Sequence, residues 1–116
     1  MHEFSLMQSV LNDVEASARD AGAERVTEIK LVVGEMREVV FEAMEFAFEA
    51  LAPHTLSEHA QLTMRTVKPR SRCSQCGDDF EHDRFHWSCP TCDSLATELV
   101  AGKELYIDTI EVDLAK

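Results

Sequence analysis

Two cysteine pairs constrain this chain more than any other feature: Cys73-Ser74-Gln75-Cys76 and Cys89-Pro90-Thr91-Cys92, each C-x2-C, with twelve residues between them. Each pair can set two thiolates on one side of a tight turn. Two such knuckles facing each other complete a tetrahedron around Zn2+ at about 2.3 Å per Zn–S bond. Gly77 follows the first pair and accepts positive φ, Pro90 stiffens the second, and Asp93, after the second pair, tolerates the left-handed region better than most residues. In a reducing compartment such cysteines are metal ligands rather than disulfides. Four thiolates leave no position for water, which argues for structural rather than catalytic zinc. A four-thiolate redox iron site uses the same ligands, and colour separates the two because Zn2+ is d10. His82 and His86 lie between the knuckles. Either is an ordinary exposed loop histidine, or an imidazole that replaces a thiolate or binds a second metal and makes the module pH-sensitive.

From Pro69 to Ala96 the cysteines and Trp87 stand among polar residues with little periodicity and almost no aliphatic side chains. Such a stretch cannot offset the entropy of ordering its loops, so the metal must organise it. Metal-driven folding contributes about 10–16 kcal/mol in small zinc peptides, more than Phe80, Phe85 and Trp87 could add.

The remainder is patterned. Leu6, Val10, Leu11 and Val14 share one face of an amphipathic helix from Ser5 to about Ala21. Ser5 and Gln8 have capping-box spacing, which predicts a helix start at Ser5 and leaves Met1 to Phe4 as a short free arm. Thr27, Ile29, Leu31 and Val33 alternate with Glu28, Lys30 and Val32 as a half-buried strand that Gly34 ends. Phe41, Met44, Phe48 and Leu51 predict a second helix over 39–51, closed by Pro53, and Leu62, Met64 and Thr66 a second strand over 61–67. A last strand over 104–112 changes parity between Ile107 and Ile110, which suggests a bulge near Asp108 and Thr109. The fold class is therefore α+β: a small three-stranded sheet with two helices, and an inserted zinc-ribbon-like module with two C-x2-C knuckles. The expected domains are an α/β body of residues 1–68 and 97–116 and a zinc module of residues 69–96.

Eleven Lys and Arg against 22 Asp and Glu give a formal net charge of −11, which repels nucleic acid and anionic membranes. No apolar run approaches the roughly 20 residues that span a bilayer, and Met1-His2-Glu3-Phe4 lacks the basic start of a signal peptide, so a cytoplasmic protein is expected. Glu42, Glu45 and Glu49 repeat along the second helix as a solvated face or a partner's docking surface. No phosphate-binding glycine loop, H-E-x-x-H or serine elbow appears, so no catalysis is expected. Met1-His2-Glu3 has chemistry of its own at a free terminus. A deprotonated α-amine, the His2 imidazole and the backbone nitrogens of His2 and Glu3 make a nitrogen-rich square of the kind Ni2+ and Cu2+ accept. The Glu3 carboxylate could add an oxygen ligand or orient His2, and an acid there is also favoured by the helix dipole alone.

The run Met1-His2-Glu3-Phe4-Ser5-Leu6-Met7-Gln8-Ser9 resembles the M-H-E-x-S-L-x-x-S start of the hydrogenase nickel-incorporation family, HypA/HybF. The resemblance continues through Val33-Gly34-Glu35-Met36, Phe46-Ala47-Phe48-Glu49, Cys76-Gly77, Cys89-Pro90 and Gly102-Lys103-Glu104-Leu105 into Ile110-Glu111-Val112, nearly end to end. Asp93 stands where the family commonly has glycine. The resemblance implies a nickel metallochaperone that loads Ni2+ into the large subunit of [NiFe]-hydrogenase with a GTPase partner of the HypB type. It further implies that the Met1 amine, His2 and Glu3 bind the transported nickel, and that Cys73, Cys76, Cys89 and Cys92 hold structural zinc. A working form of monomer or homodimer is expected. Two rivals remain: a zinc-ribbon interaction module for protein or nucleic acid, with Arg65, Lys68, Arg70 and Arg72 as its contact stripe, and a rubredoxin-like electron carrier.

Overall fold

The structure, a computed structural model, describes residues 2–115. Among the described residues it is α+β, with two α-helices, two small three-stranded sheets and the paired knuckles. The chain divides into two compact units. One gathers Met1–Leu31, Val39–Arg65 and Tyr106–Lys116, the other Val32–Glu38 and Thr66–Leu105.

In the first unit, helix α1 covers His2–Asp20 and buries Met7, Val10, Leu11, Val14 and Ala18, the stripe expected of 3.6-residue periodicity. It packs on helix α2, Phe41–Leu51, which buries Met44, Ala47 and Phe48. Two sequence expectations fail at the start of α1. The helix begins at His2, so the segment 2–4 is not a free arm, and Ser5 lies inside the first turns rather than at the N-cap. Gln8 does not complete a capping box: its Nε2 donates forward to the Asn12 side chain at 3.3 Å. The helix extends further because its first turn is held from elsewhere. The Glu3 carboxylate accepts the N–H of Val40, the N-cap residue of α2, at 3.2 Å. That N-cap has no side-chain cap of its own.

Strand β1 spans Ala23–Gly34, longer than its alternating stretch indicates. Its burial departs from strict period two. Thr27 is exposed, whereas Val32 is buried along with Leu31 and Val33, so the end of the strand is covered on both faces. Strands β2, Gln61–Val67, and β6, Leu105–Leu114, flank it in the order β2-β1-β6. Arg25 meets Asp113 at 3.3 Å and Thr27 Oγ1 donates to the Glu111 carbonyl at 3.2 Å, so β1 and β6 run antiparallel. Along β6 the half-buried positions are Leu105 and Ile107, then Ile110 and Val112, with Asp108 and Thr109 both exposed. The parity change expected from the sequence lies there.

The same sheet carries a like-charge pair. Glu28 hydrogen-bonds to Glu111 and repels its charge, and together these raise the Glu111 pKa above the ordinary carboxylate value. A raised acid favours the folded state while it is protonated, and that advantage is lost as pH rises through its folded pKa. Glu111→Gln is therefore expected to raise the melting temperature at pH 7 and to lose that gain near pH 3. Parallel thermal melts of the two proteins across that range check it.

The second unit contains strands β3, Arg70–Cys73, β4, Asp79–Glu81, and β5, Thr97–Ala101, ordered β4-β3-β5 and antiparallel. Nothing in the sequence anticipates them, because all three are short and β3 and β4 are largely polar. Ser71 pairs with Phe80 on one side and Leu99 on the other, and a bulge falls between Arg70 and Ser71 against β5. After β1 the chain makes a 3-10 turn, Glu35–Arg37, so α2 starts two residues later than the sequence suggests. This turn is fastened within the unit: Gly34 N–H donates to the Glu104 carbonyl at 2.6 Å, Met36 N–H to the Gly102 carbonyl at 2.8 Å, and Arg37 Nε to the Lys103 carbonyl at 3.0 Å. Among the described residues no helix is long and apolar enough to cross a membrane.

Candidate metal centres

The two knuckles are built alike. Gly77 N–H donates to the Cys73 carbonyl at 2.9 Å and Asp93 N–H to the Cys89 carbonyl at 2.8 Å. Cys73 N–H bonds back to the Asp78 carbonyl and Cys89 N–H to the Ser94 carbonyl, each at 2.9 Å. The residue after each second cysteine is left-handed, Gly77 at φ 82° and Asp93 at φ 62°. Asp93 therefore closes its turn in the conformation that Gly77 adopts, which a short polar side chain tolerates at some strain.

These turns bring all four sulfurs within 4.8 Å of one another. Cys73 Sγ lies 3.5 Å from Cys92 Sγ, and Cys76 Sγ 3.5 Å from Cys89 Sγ. No pair is a disulfide. Sulfurs at about 2.3 Å from a common centre in a tetrahedron stand about 3.8 Å apart, so the cluster fits one Zn2+. Cys73 and Cys89 are buried, while Cys76 and Cys92 are exposed.

Backbone donors already favour thiolate. The N–H groups of Cys76 and Gln75 point at Cys73 Sγ and hold its pKa down to about 6, against the burial that would raise it. At Cys89 burial opposes ionisation, but the N–H groups of Cys92 and Thr91 carry its pKa below the ordinary thiol value. The second cysteine of each pair receives one such donor, from Asp78 to Cys76 and from Ser94 to Cys92. These two still end higher, Cys76 at about 12, because lost hydration and hydrogen bonding to the neighbouring sulfurs keep their protons on. Each knuckle thus pairs one cysteine whose pKa is lowered with one whose pKa is raised, and a divalent cation bound there would displace the remaining protons.

Little apolar surface is buried around the four sulfurs. Between Arg70 and Ala101 only Ser71, Cys73, Phe80 and Cys89 are buried, and the module's core cluster is Cys73, Phe80 and Cys89. Two of its three members belong to the four-cysteine cluster. Phe85, at 77% exposed, adds nothing to that core.

Neither loop histidine joins the sulfur cluster. His82 Nδ1–H donates to the Asp83 carbonyl at 2.6 Å, which leaves Nε2 to accept the buried Ser71 hydroxyl at 2.7 Å. Its ring leans on Trp87 and Phe80 at centroid distances of 4.7 and 5.5 Å. His86 is exposed and bonds through Nδ1 to the Asp83 carboxylate at 2.7 Å. That carboxylate also accepts the Phe85 and His86 N–H groups, and these donors lower its pKa, the Phe85 amide most. The histidines thus brace the loop between the knuckles. Two of the four residues of the cationic stripe face an acid: Arg72 Nε lies 2.9 Å from the Asp79 carboxylate and Arg70 Nε 4.0 Å from it.

At the other end of the chain, Met1 lies outside the described residues. His2 is exposed in the first turn of α1, where backbone N–H groups have no intrahelical acceptor. Glu3 is half-buried, and Val40 N–H, followed by Glu3's own N–H, lowers its pKa. This tie to α2 is a role for Glu3 that the sequence does not signal, since its partner lies 37 residues away.

Residues 1–112 match the family model described as hydrogenase/urease nickel incorporation, metallochaperone, HypA. The chain belongs to this family. Among this family's curated members, the hydrogenase maturation factor HypA of Chlorobium luteolum is 39% identical over 113 residues, covering 97% of each chain. That of Geobacter metallireducens is 38% identical, covering 97% of this chain and all of its own. The fold agrees with the solution structure of the Ni metallochaperone HypA from Helicobacter pylori at a TM-score of 0.72 and 21% identity, over 97% of this chain and 98% of that one. As a HypA-family metallochaperone the chain pairs a nickel-handling class of function with a four-cysteine set suited to structural zinc. The reading as a zinc-ribbon interaction module for protein or nucleic acid, without a nickel function, is not favoured.

Proposed function

We propose that this chain binds Ni2+ at its amino terminus and hands it to the large subunit of [NiFe]-hydrogenase, in the cytoplasm, together with a GTPase partner of the HypB type. It carries cargo rather than catalysing a reaction. The observation that carries this reading is the exposed His2 in the first turn of α1, beside Glu3, in a chain whose family is a nickel metallochaperone family. The Met1 amine and the His2 imidazole act as ligands, with the backbone nitrogens of His2 and Glu3 completing the nitrogen field that Ni2+ accepts. The zinc module of residues 69–96 is structural, and the helical body carries the nickel. Because amide nitrogens bind only after losing their protons, nickel affinity falls as pH falls, and that makes the cargo releasable.

The test is a calorimetric Ni2+ titration of protein with a native terminus against His2→Ala and against a chain extended before Met1. Each change is expected to weaken binding by at least about a hundredfold, about 2.7 kcal/mol. Unchanged affinity in both would refute the site.

A further inference from the structure

The start of α1 and the outer face of α2 enclose a cavity of about 220 Å³ lined by Glu3, Phe4, Ala43, Phe46, Ala47 and Ala50. Apart from the Glu3 carboxylate, its wall is carbon. The four α2 positions fall at i, i+3, i+4 and i+7, a continuous stripe on one side of the helix. The three alanines keep the stripe low, so the groove has a floor, and Phe46 stands at its edge 74% exposed. A phenylalanine left in water forgoes about 1.5–3 kcal/mol of burial. Phe48, on the opposite face of the same helix, is buried.

The rim decides what can enter. At 100° per residue, Glu42 and Glu49 sit within about 60° of Phe46 on the side away from Ala43 and Ala50, and Glu45 about 40° beyond. All three are exposed, and no ion pair involving them is recorded among the described residues. Glu3 closes the opposite side. An apolar slot between carboxylates repels an anionic lipid surface, and it repels a second copy of this acidic chain presenting the same face.

We propose that this groove docks an amphipathic helix from a partner protein, one that presents an apolar stripe to Phe46, Ala47 and Ala50 and lysines or arginines to Glu42, Glu45 and Glu49. This deepens the proposed function, because Glu3 belongs both to the groove wall and to the nickel-bearing terminus. A partner seated here would meet the cargo at the terminus that holds it.

The test uses the full chain without nickel and a helix-forming peptide with leucines at i, i+3, i+4 and i+7 flanked by lysines, beside a twin carrying glutamates in place of the lysines. The lysine peptide is expected to shift the backbone amide resonances of Phe4, Ala43, Phe46, Ala47 and Ala50, and to bind less tightly as salt rises. Phe46→Ser and the double change Glu45→Lys with Glu49→Lys are each expected to weaken it at least about tenfold. Both sites are exposed, so the variants keep the fold, as their amide spectra will show. Shifts centred elsewhere, equal binding of the glutamate twin, or affinity indifferent to both variants would overturn the proposal. Because nickel is left out, failure here leaves the nickel titration standing, and failure of that titration leaves this result standing.

Discussion

Stripping zinc with a chelator, or replacing Cys73 by serine, is expected to abolish the ordered β4-β3-β5 sheet. The reason lies in what the module buries. Its core cluster is one phenylalanine and two cysteines, and full burial of Phe80 contributes about 1.5–3 kcal/mol. Ordering a single backbone residue costs about 1–2 kcal/mol, so Phe80 cannot order even a short strand. Zinc binding, at about 10–16 kcal/mol in comparable peptides, is the only contribution large enough. Removing one thiolate also leaves the N–H groups of Cys76 and Gln75 without the sulfur they point at. Amide exchange should show full loss of protection at Arg70–Cys73, Asp79–Glu81 and Thr97–Ala101, with one equivalent of zinc released per chain. Retained protection in the chelated protein would show that the hydrogen-bonded turns suffice alone.

Elements whose packing or ligand geometry is set locally were legible in the sequence, and those held by distant partners were not. Helix α2 was legible because it buries Met44, Ala47 and Phe48 through its own periodicity, so the pattern records the packing. Strand β2 was legible over Leu62 and Met64, which are half-buried, but Thr66 is exposed and Val67 takes the half-buried place. The knuckles were legible for a different reason: ligand spacing is a local requirement, and Cys73 to Cys76 and Cys89 to Cys92 meet it within four residues. The start of α1 was not. Ser5 and Gln8 satisfy a local capping rule, but the Glu3 carboxylate bonds Val40 N–H 37 residues away and extends the helix to His2. Strands β3 to β5 were hidden for a related reason. Arg70, Arg72, Asp79 and Glu81 alternate with only three buried side chains, and the register that pairs Arg72 with Asp79 spans the first knuckle, which lies between the two strands. In β1 the alternation failed at Val32 because the strand's end is covered on both faces. For His82 the sequence left a loop histidine and a metal ligand both open, and its partner, the Ser71 hydroxyl, gives no sign in the local sequence.

Gly34 presents the same problem in its sharpest form, and it predicts the second large effect. By pattern it simply ends a strand. Its backbone is ordinary, at φ −68° and ψ 139°, so any residue could adopt the conformation. The constraint is space. A Cβ at Gly34 would lie 2.1 Å from the Gly102 carbonyl oxygen, 2.3 Å from its carbon and 2.6 Å from the Glu104 nitrogen. All three are backbone atoms, and no side-chain rotation relieves the overlap. Gly34→Ala must therefore push the two segments apart, and the bonds from Gly34 N–H to Glu104 and from Met36 N–H to Gly102 lie directly in the path of that movement. Overpacking costs about 1–3 kcal/mol and each broken buried bond about 1–3 kcal/mol, so a loss of about 3–5 kcal/mol is expected in denaturant unfolding. Gly77→Ala supplies the contrast. That site has positive φ but nothing within 4 Å of the added carbon, so only left-handed strain of about 1–2 kcal/mol should appear. If the two substitutions destabilise equally, close approach is not what requires glycine at position 34. If Gly34→Ala is several-fold worse, the glycine of Val33-Gly34-Glu35-Met36 is there so that two backbones can touch.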